Sequence, residues 1–259
     1  MAGDSATTAE RRPIILAHRG ASADAPENTL AAFRLALDQG ADGVELDVWR
    51  CATGEVVVHH DADTRRTAGA ALRLRRAPLR ELRALDVGAW RGGAFRGERI
   101  PLLAEVLEAL PGAIVNVELK AERLPDLALA AAVARVLHRA GAAGRCVVSS
   151  FDALLLAAFR AAAPAVPRGL LVAEGRTWRL RAGAGARLAR PDALHPQASL
   201  VTAARAAAWR ARGLAVRAWT VDEEAEVARL ARLGVTALIT NRPAAALAAA
   251  RRAAGATSR

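Results

Sequence analysis

Residues 114–149 read IVNVELKAERLPDLALAAAVARVLHRAGAAGRCVVS. The β-branched run Ile114–Leu119 predicts a strand, the alanine- and leucine-rich Pro125–Arg139 a helix, and Arg145–Ser149 a second strand. Two strands joined by a connection of helix length run parallel. The same alternation continues in both directions. Further strands are expected at Ile14–Ala17, Gly43–Val48, Gly169–Val172, Ala193–His195, Ala215–Trp219 and Ala237–Thr240. Helices are expected at Asn28–Gln39, Asp152–Ala162, Thr202–Arg212, Glu223–Leu233 and Ala244–Ala254, with Gly40 placed to end the first of them. Eight parallel strands in 259 residues predict an α/β protein, a (β/α)8 TIM barrel forming one domain over 1–259 with its core at about 14–254. A doubly wound open sheet would begin with a glycine-rich phosphate-binding turn, which this chain lacks.

Two segments break the alternation. Val56–His60 follows Gly43–Val48 after a connection too short for a parallel crossover, so a hairpin is expected after strand 2. A turn centred on Thr53-Gly54 sets His60 opposite Asp47 and turns His59 the other way. Ala62–Arg99 then reads as a small insertion (about 62–100) with one short helix near Leu79–Leu85 and ten arginines against four acids.

The chain is 53% hydrophobic and 24% charged, which excludes disordered and collagen-like classes. Cys51 and Cys146 have no metal-binding or redox spacing around them and read as free thiols. No uncharged apolar run reaches the ~18 residues of a membrane span, so no transmembrane segment is expected. The first 13 residues hold no apolar signal core, and a cytoplasmic location is expected. Formal net charge is +11, but 36 of the 37 basic residues are arginine in an alanine-rich chain. That composition reads as codon bias rather than a nucleic-acid interface, and no basic run interleaves the aromatics that stacking needs. A second basic stretch, Arg176 to Arg190, holds five arginines. The single lysine, Lys120, is the informative cation.

Active sites of such barrels lie at the C-terminal strand ends. The first strand ends at His18-Arg19, the second carries Glu45 and Asp47 two residues apart, and the third carries Glu118 and Lys120. Residues two apart on a strand share a face, so three carboxylates meet at one rim. Oxygen ligands without sulfur suit one hard divalent cation, Ca²⁺ or Mg²⁺. His18 and His60 flank that cluster, with Arg19 and Lys120 supplying positive charge. This set suits phosphoryl transfer, one histidine taking a proton and the other giving one. Taken singly, these residues also have structural readings. Asn28 reads as a helix N-cap, Asp61 as a strand end or an orienting carboxylate, and His138 as a surface residue at a helix C-terminus. His195 and Trp219, at later strand ends, line the pocket or pack the barrel.

His18-Arg19-Gly20, Pro26-Glu27-Asn28-Thr29, Glu45-Leu46-Asp47-Val48, His60-Asp61, Val117-Glu118-Leu119-Lys120, Ala218-Trp219-Thr220-Val221 and Thr240-Asn241-Arg242-Pro243 resemble, in order and spacing, the glycerophosphodiester phosphodiesterase family. The resemblance spans about residues 14–243. It implies hydrolysis of small-molecule glycerophosphodiesters to sn-glycerol 3-phosphate and an alcohol. His18 and His60 match the general acid and base, Glu45, Asp47 and Glu118 the ligands of a divalent cation, and Arg19 and Lys120 the groups beside the phosphate. The chain departs from the family pattern at Ala52-Thr53-Gly54 in the hairpin turn, at His59 and at Asn241.

A phospholipase C- or D-like enzyme is the rival within enzymes, and the basic insertion leaves room for peripheral contact with an anionic membrane. The rival of another class is a non-catalytic anion-binding barrel. The insertion is expected to cover part of the site and to attract anionic substrate through Arg65, Arg66, Arg75 and Arg76.

Overall fold

The computed structural model describes residues 12–175 and 186–257. The chain runs β1 (Ile14–His18), α1 (Leu30–Asp38), β2 (Gly43–Arg50), β3 (Val56–Val58), α2 (Arg65–Ala68), α3 (Leu79–Arg83), α4 (Leu103–Ala109), β4 (Ile114–Leu119), α5 (Leu127–Arg139), β5 (Cys146–Ser150), α6 (Ala153–Ala162), β6 (Arg168–Val172), α7 (Ala186–Ala189), β7 (Ala193–Pro196), α8 (Ala203–Arg210), β8 (Ala215–Ala218), α9 (Glu224–Arg232), β9 (Ala237–Thr240) and α10 (Pro243–Thr257). Strand order is β1-β9-β8-β7-β6-β5-β4-β2-β3, and β1 also pairs with β2. That last pairing closes eight parallel strands into the expected TIM barrel, and β3 lies outside it, antiparallel to β2.

Closure buries the strands on both faces, which is why they read as nearly continuous apolar runs. Outward side chains such as Leu46, Val117 and Val216 pack against Phe33, Val133, Phe159 and Leu230 of the helical ring. Inside the barrel, Leu16, Ala237 and Ile239 form a smaller cluster. Local signals set the helix ends. The Thr29 side chain accepts from the Ala32 N–H to start α1, and Asp152 accepts from Leu154 and Leu155 to start α6. After α1, Gly40 at φ +85° donates to the Leu37 carbonyl, and Ala41 donates to that of Ala36. This closes the helix with a Schellman motif.

Four expectations are corrected. Asn28 is not the N-cap of α1; Thr29 is, and Asn28 stands at φ +58° outside the helix. The hairpin register is shifted by one residue, pairing Val48 with Val58 and Trp49 with Val57. The cause is a three-residue loop, Ala52–Gly54, between the bonded pair Cys51 and Glu55, with Gly54 at φ +102°. The strand also stops at Val58, so His60 lies beyond it rather than opposite Asp47. Finally, α2, α4 and α7 were not foreseen, because four to seven residues are too few for a helical period to declare itself.

Both cysteines are buried and free. His138 is exposed in the last turn of α5. The insertion builds its own small core, with Leu74, Ala77, Leu82, Val87 and Ile100 against Trp49, Cys51 and Val57. Of the basic stretch Arg176 to Arg190, residues 176–185 lie outside the described ones. Among the described residues no helix is long and apolar enough to cross a membrane.

His195 is fully buried, and its imidazole fills the space where a Cβ on Gly169 would stand, with Nε2 only 2.2 Å from that point. A ring enclosed by neighbouring strands has nowhere to retreat. Gly169→Ala is therefore expected to cost about 3 kcal/mol of stability by overpacking. Thermal unfolding should show a Tm about 6–12 °C lower, and an unchanged Tm would mean that the ring moves freely.

Candidate active site

The barrel brings the strand ends together in register. His18 pairs with Glu45 across β1 and β2, and Asp47 with Glu118 across β2 and β4. One oxygen from each of Glu45, Asp47 and Glu118 lies within 4.8 Å of the others. All three carboxylates are buried. Such a cluster is electrostatically costly unless it is compensated. Lys120 Nζ is 3.2 Å from Asp47 Oδ1 and 3.0 Å from Glu118 Oε1, and Arg19 Nε is 3.4 Å from Asp47 Oδ2.

Compensation is uneven. Burial works to raise the Asp47 pKa, but Lys120 and Arg19 outweigh it and hold the carboxyl well below its usual range. Burial pushes Glu118 up to about 7 despite Lys120. Burial and the repulsion of Asp47 and Glu118 push Glu45 well above the usual range. Three oxygen donors, two of them reluctant to ionise without more positive charge, form a set that could hold a divalent cation.

Asp47 also accepts from Asn28, whose Nδ2 is 2.9 Å from Oδ2, and the Asp47 N–H points back at Asn28 Oδ1 at 3.3 Å. Asn28 holds this position from a left-handed backbone, which asparagine tolerates better than most residues. Arg19 is also left-handed, at φ +57°, its N–H bonded to the Glu45 carbonyl and its own carbonyl to the Asn28 N–H. The loop therefore turns both side chains back over the strand ends.

His18 and His60 both line a cavity of about 160 Å³ with Arg19, Glu45, Glu118 and Lys120. Phe151, Leu171, Trp219 and Ile239 supply its apolar wall, and the Phe151 and Trp219 rings meet edge to face at 5.6 Å. The larger open groove over Arg75, Glu122, Arg123 and Leu124 contains none of the acid, histidine or lysine residues of the site. His18 Nδ1 is 2.8 Å from Asn241 Oδ1, and Asn241 in turn donates Nδ2 to Asp222 at 2.6 Å. That orientation makes His18 Nδ1 the donor and leaves Nε2 as the basic nitrogen, 3.9 Å from Glu45. His60 Nδ1 faces Asp61 Oδ1 at 2.7 Å, which likewise leaves its Nε2 free. Burial, then Arg19, lowers the His18 pKa to about 4, and burial also lowers that of His60.

His18, Arg19, Glu45, His60, Glu118, Lys120 and Trp219 thus line one cavity, with Asp47 just behind it. His195 does not line it. That side chain sits within the barrel with both ring nitrogens unpartnered among the described residues. As expected, His59 turns away from His60, bonding the Asp61 carbonyl and the Thr67 hydroxyl. The insertion contributes no residue to the cavity lining. Sequence reasoning missed the roles of Asn28, read as a helix cap, and of Asn241, marked only as a departure from the family pattern. For Asn28 the signal was the pair Asn28-Thr29, two capping residues in succession where one helix needs only one.

The family model for the glycerophosphoryl diester phosphodiesterase family matches residues 18–245. A glycerophosphodiester phosphodiesterase of Caldanaerobacter subterraneus subsp. tengcongensis is 32% identical, the alignment covering 90% of this chain and 95% of that protein. A probable glycerophosphodiester phosphodiesterase 1 of Mycobacterium tuberculosis is 34% identical over 89% of this chain and 90% of that one. Among solved structures, an Oleispira antarctica phosphodiesterase in complex with the product sn-glycerol-3-phosphate superposes with a TM-score of 0.83 at 31% identity, covering 92% of this chain and 96% of that one. Matched across nearly its whole length, this chain belongs to the glycerophosphoryl diester phosphodiesterase family, a family of phosphoric diester hydrolases.

Proposed function

We propose that this phosphodiesterase cleaves glycerophosphodiesters to sn-glycerol 3-phosphate and an alcohol in a metal-dependent reaction, with His18 and His60 as the acid–base pair. The observation that carries the reading is the shared cavity onto which both histidines, Arg19, Lys120 and two of the three clustered acids open. Glu45, Asp47 and Glu118 would hold one divalent cation, Ca²⁺ or Mg²⁺, which supplies Lewis-acid stabilisation of charge on the phosphoryl oxygens. Arg19 and Lys120 bind the phosphate, and Trp219 packs against the substrate's carbon skeleton.

The two histidines differ in what stands behind them. Burial lowers the His60 value, but Asp47 and the Asp61 carboxylate on the far ring nitrogen oppose it, so of the two histidines His60 is the one assigned to protonate the leaving alkoxide. His18 has a neutral amide behind it and Arg19 beside it. It stays unprotonated and takes the proton from the attacking hydroxyl.

Release of sn-glycerol 3-phosphate from glycerophosphocholine, with Ca²⁺ or Mg²⁺ present, tests the reading. Product should vanish in EDTA and in His18→Ala. Turnover that survives EDTA removes the metal from the proposal, and no turnover with either cation removes the substrate class.

The carboxylate cluster also predicts how the metal-free fold responds to pH. Glu118 holds its proton more tightly folded than unfolded, so its stabilisation is complete below its ordinary value and is lost as pH rises through about 7. Glu45 acts in the same direction. His18, His59, His60 and His195, all lowered by burial, act oppositely, with most of their gain below the ordinary histidine value of 6.5. Between pH 6.5 and 8 the Tm in EDTA is therefore expected to fall by about 3 °C, from about 1.4 kcal/mol per proton per pH unit. Added Ca²⁺ or Mg²⁺ should raise Tm more at pH 8 than at pH 6.5, because binding needs ionised carboxylates. Calorimetry at the two pH values measures both, and a Tm that rises with pH in EDTA contradicts the argument.

A further inference from the structure

We propose that Arg66, on the short helix α2 of the insertion, is a positioning residue that holds His60 and Arg19 in fixed relation through two carboxylates. Its guanidinium uses both of its edges. Nε donates to Asp61 Oδ2 at 2.7 Å, and Nη1 and Nη2 donate to Glu27 Oε2 and Oε1 at 2.7 and 2.8 Å. Asp61 accepts from His60 Nδ1 at 2.7 Å through its other oxygen, and Glu27 accepts from Arg19 Nη1 at 3.0 Å. One unbroken chain therefore runs His60–Asp61–Arg66–Glu27–Arg19, joining the group after β3 to the loop after β1. Arg66 touches neither the cavity nor the acid triad; it acts through Asp61 and Glu27.

Chemistry favours arginine here. A planar fork of fixed donors holds two carboxylates at set angles, whereas a lysine ammonium is a point charge on a flexible stem. Without the guanidinium, Asp61 and Glu27 would lose the cation they share, and each would be held only by its bond to His60 or Arg19, free to swing out of alignment. The helix that carries Arg66 is itself pinned. His59 bonds Thr67 on α2 through Nε2 at 3.0 Å and the Asp61 carbonyl through Nδ1 at 3.1 Å. In the doubled His59-His60, one ring fixes the helix and the other lines the cavity.

This gives the insertion a geometric part in the site, distinct from the steering part expected from its charge. Arg73 and Arg75 are engaged by Glu122. Arg65, next to Arg66, is exposed and shows no side-chain ion pair among the described contacts. Arg65→Ala and Arg66→Ala remove the same charge from the same helix, so comparing them separates position from charge.

The inference rests on His60 and Arg19 acting as proposed above, and the experiment includes His60→Ala to test that separately. Steady-state kinetics on glycerophosphocholine, with cation, are compared at low and high salt. Arg66→Ala is expected to lose about 10- to 100-fold in kcat with KM changed less than about threefold at either salt, as for other residues that orient reacting groups. Arg66→Lys should recover only part of the loss, added guanidinium should recover some of it in Arg66→Ala, and Arg65→Ala should match wild type in kcat at either salt. A second readout needs neither cation nor turnover. Nitrogen NMR of the metal-free protein, at a pH where the His60 ring is neutral, should place its proton on Nδ1 in wild type and distribute it between the two nitrogens in Arg66→Ala. Wild-type kcat in Arg66→Ala beside an inactive His60→Ala overturns the proposal, as does a loss that high salt abolishes or that Arg65→Ala shares. An active His60→Ala would fault the reading of the site instead.

Discussion

Asp47→Asn is expected to lower kcat/KM by about 10³-fold or more while leaving the barrel folded. The substitution keeps the shape of the side chain, and an amide oxygen can still accept from Asn28 Nδ2. It removes the one acid of the triad that stays ionised against burial. Several kcal/mol of transition-state stabilisation depends on charge at this point, and about 4 kcal/mol corresponds to that factor in rate. Lys120 and Arg19 lose the carboxylate they share and keep only Glu118 and Glu27, respectively, to position them at the cavity. Calcium or magnesium titration by calorimetry should show cation binding weakened in parallel. Undiminished binding together with undiminished turnover would place the cation elsewhere.

The second large effect concerns the two histidines. His18→Ala and His60→Ala are each expected to lose about 10²- to 10⁴-fold in kcat on glycerophosphocholine, the ordinary size of an acid or base contribution. A substrate with a nitrophenol leaving group separates them. Such a leaving group departs without a proton, so His60→Ala should regain most of its loss, whereas His18→Ala should stay impaired because the attacking hydroxyl still needs a base. Recovery in His18→Ala alone would exchange the two roles. Recovery in neither would give both histidines positioning duties. The distinction comes from what lies behind each ring, a carboxylate for His60 and an amide for His18.

Much of this site was legible in the chain, because barrel strands announce themselves and the chemistry sits at their ends. His18, Glu45, Asp47, Glu118 and Lys120 lie in or directly after strands whose apolar runs are unmistakable, and period two sets their faces. His60 reached the cavity although its register was misread. The hairpin loop is one residue longer than a two-residue turn, and such a shift would exchange the faces of a strand. The strand ends at Val58, however, so the side chains of His59 and His60 are directed by their own hydrogen bonds rather than by strand pairing. Asn28 illustrates the opposite case. Its residue type suggests a cap, but its left-handed backbone and its bond to Asp47 depend on a loop folding over a strand 19 residues away.

The sequence by itself determined the barrel, the strand ends that carry acids and histidines, and the family, because each follows from local periodicity or from short motifs in order. The tertiary structure alone decided which charges compensate which. Arg66 and Glu27 are 39 residues apart, His18 and Asn241 are 223 apart, and Arg73 and Arg75 face Glu122 across nearly 50 residues. Whether an arginine steers substrate from solvent or is locked between two carboxylates depends on distances of a few ångströms, since Coulomb interactions and hydrogen bonds act through space. A pattern along the chain states that the charge exists, and only the closed barrel states what it faces.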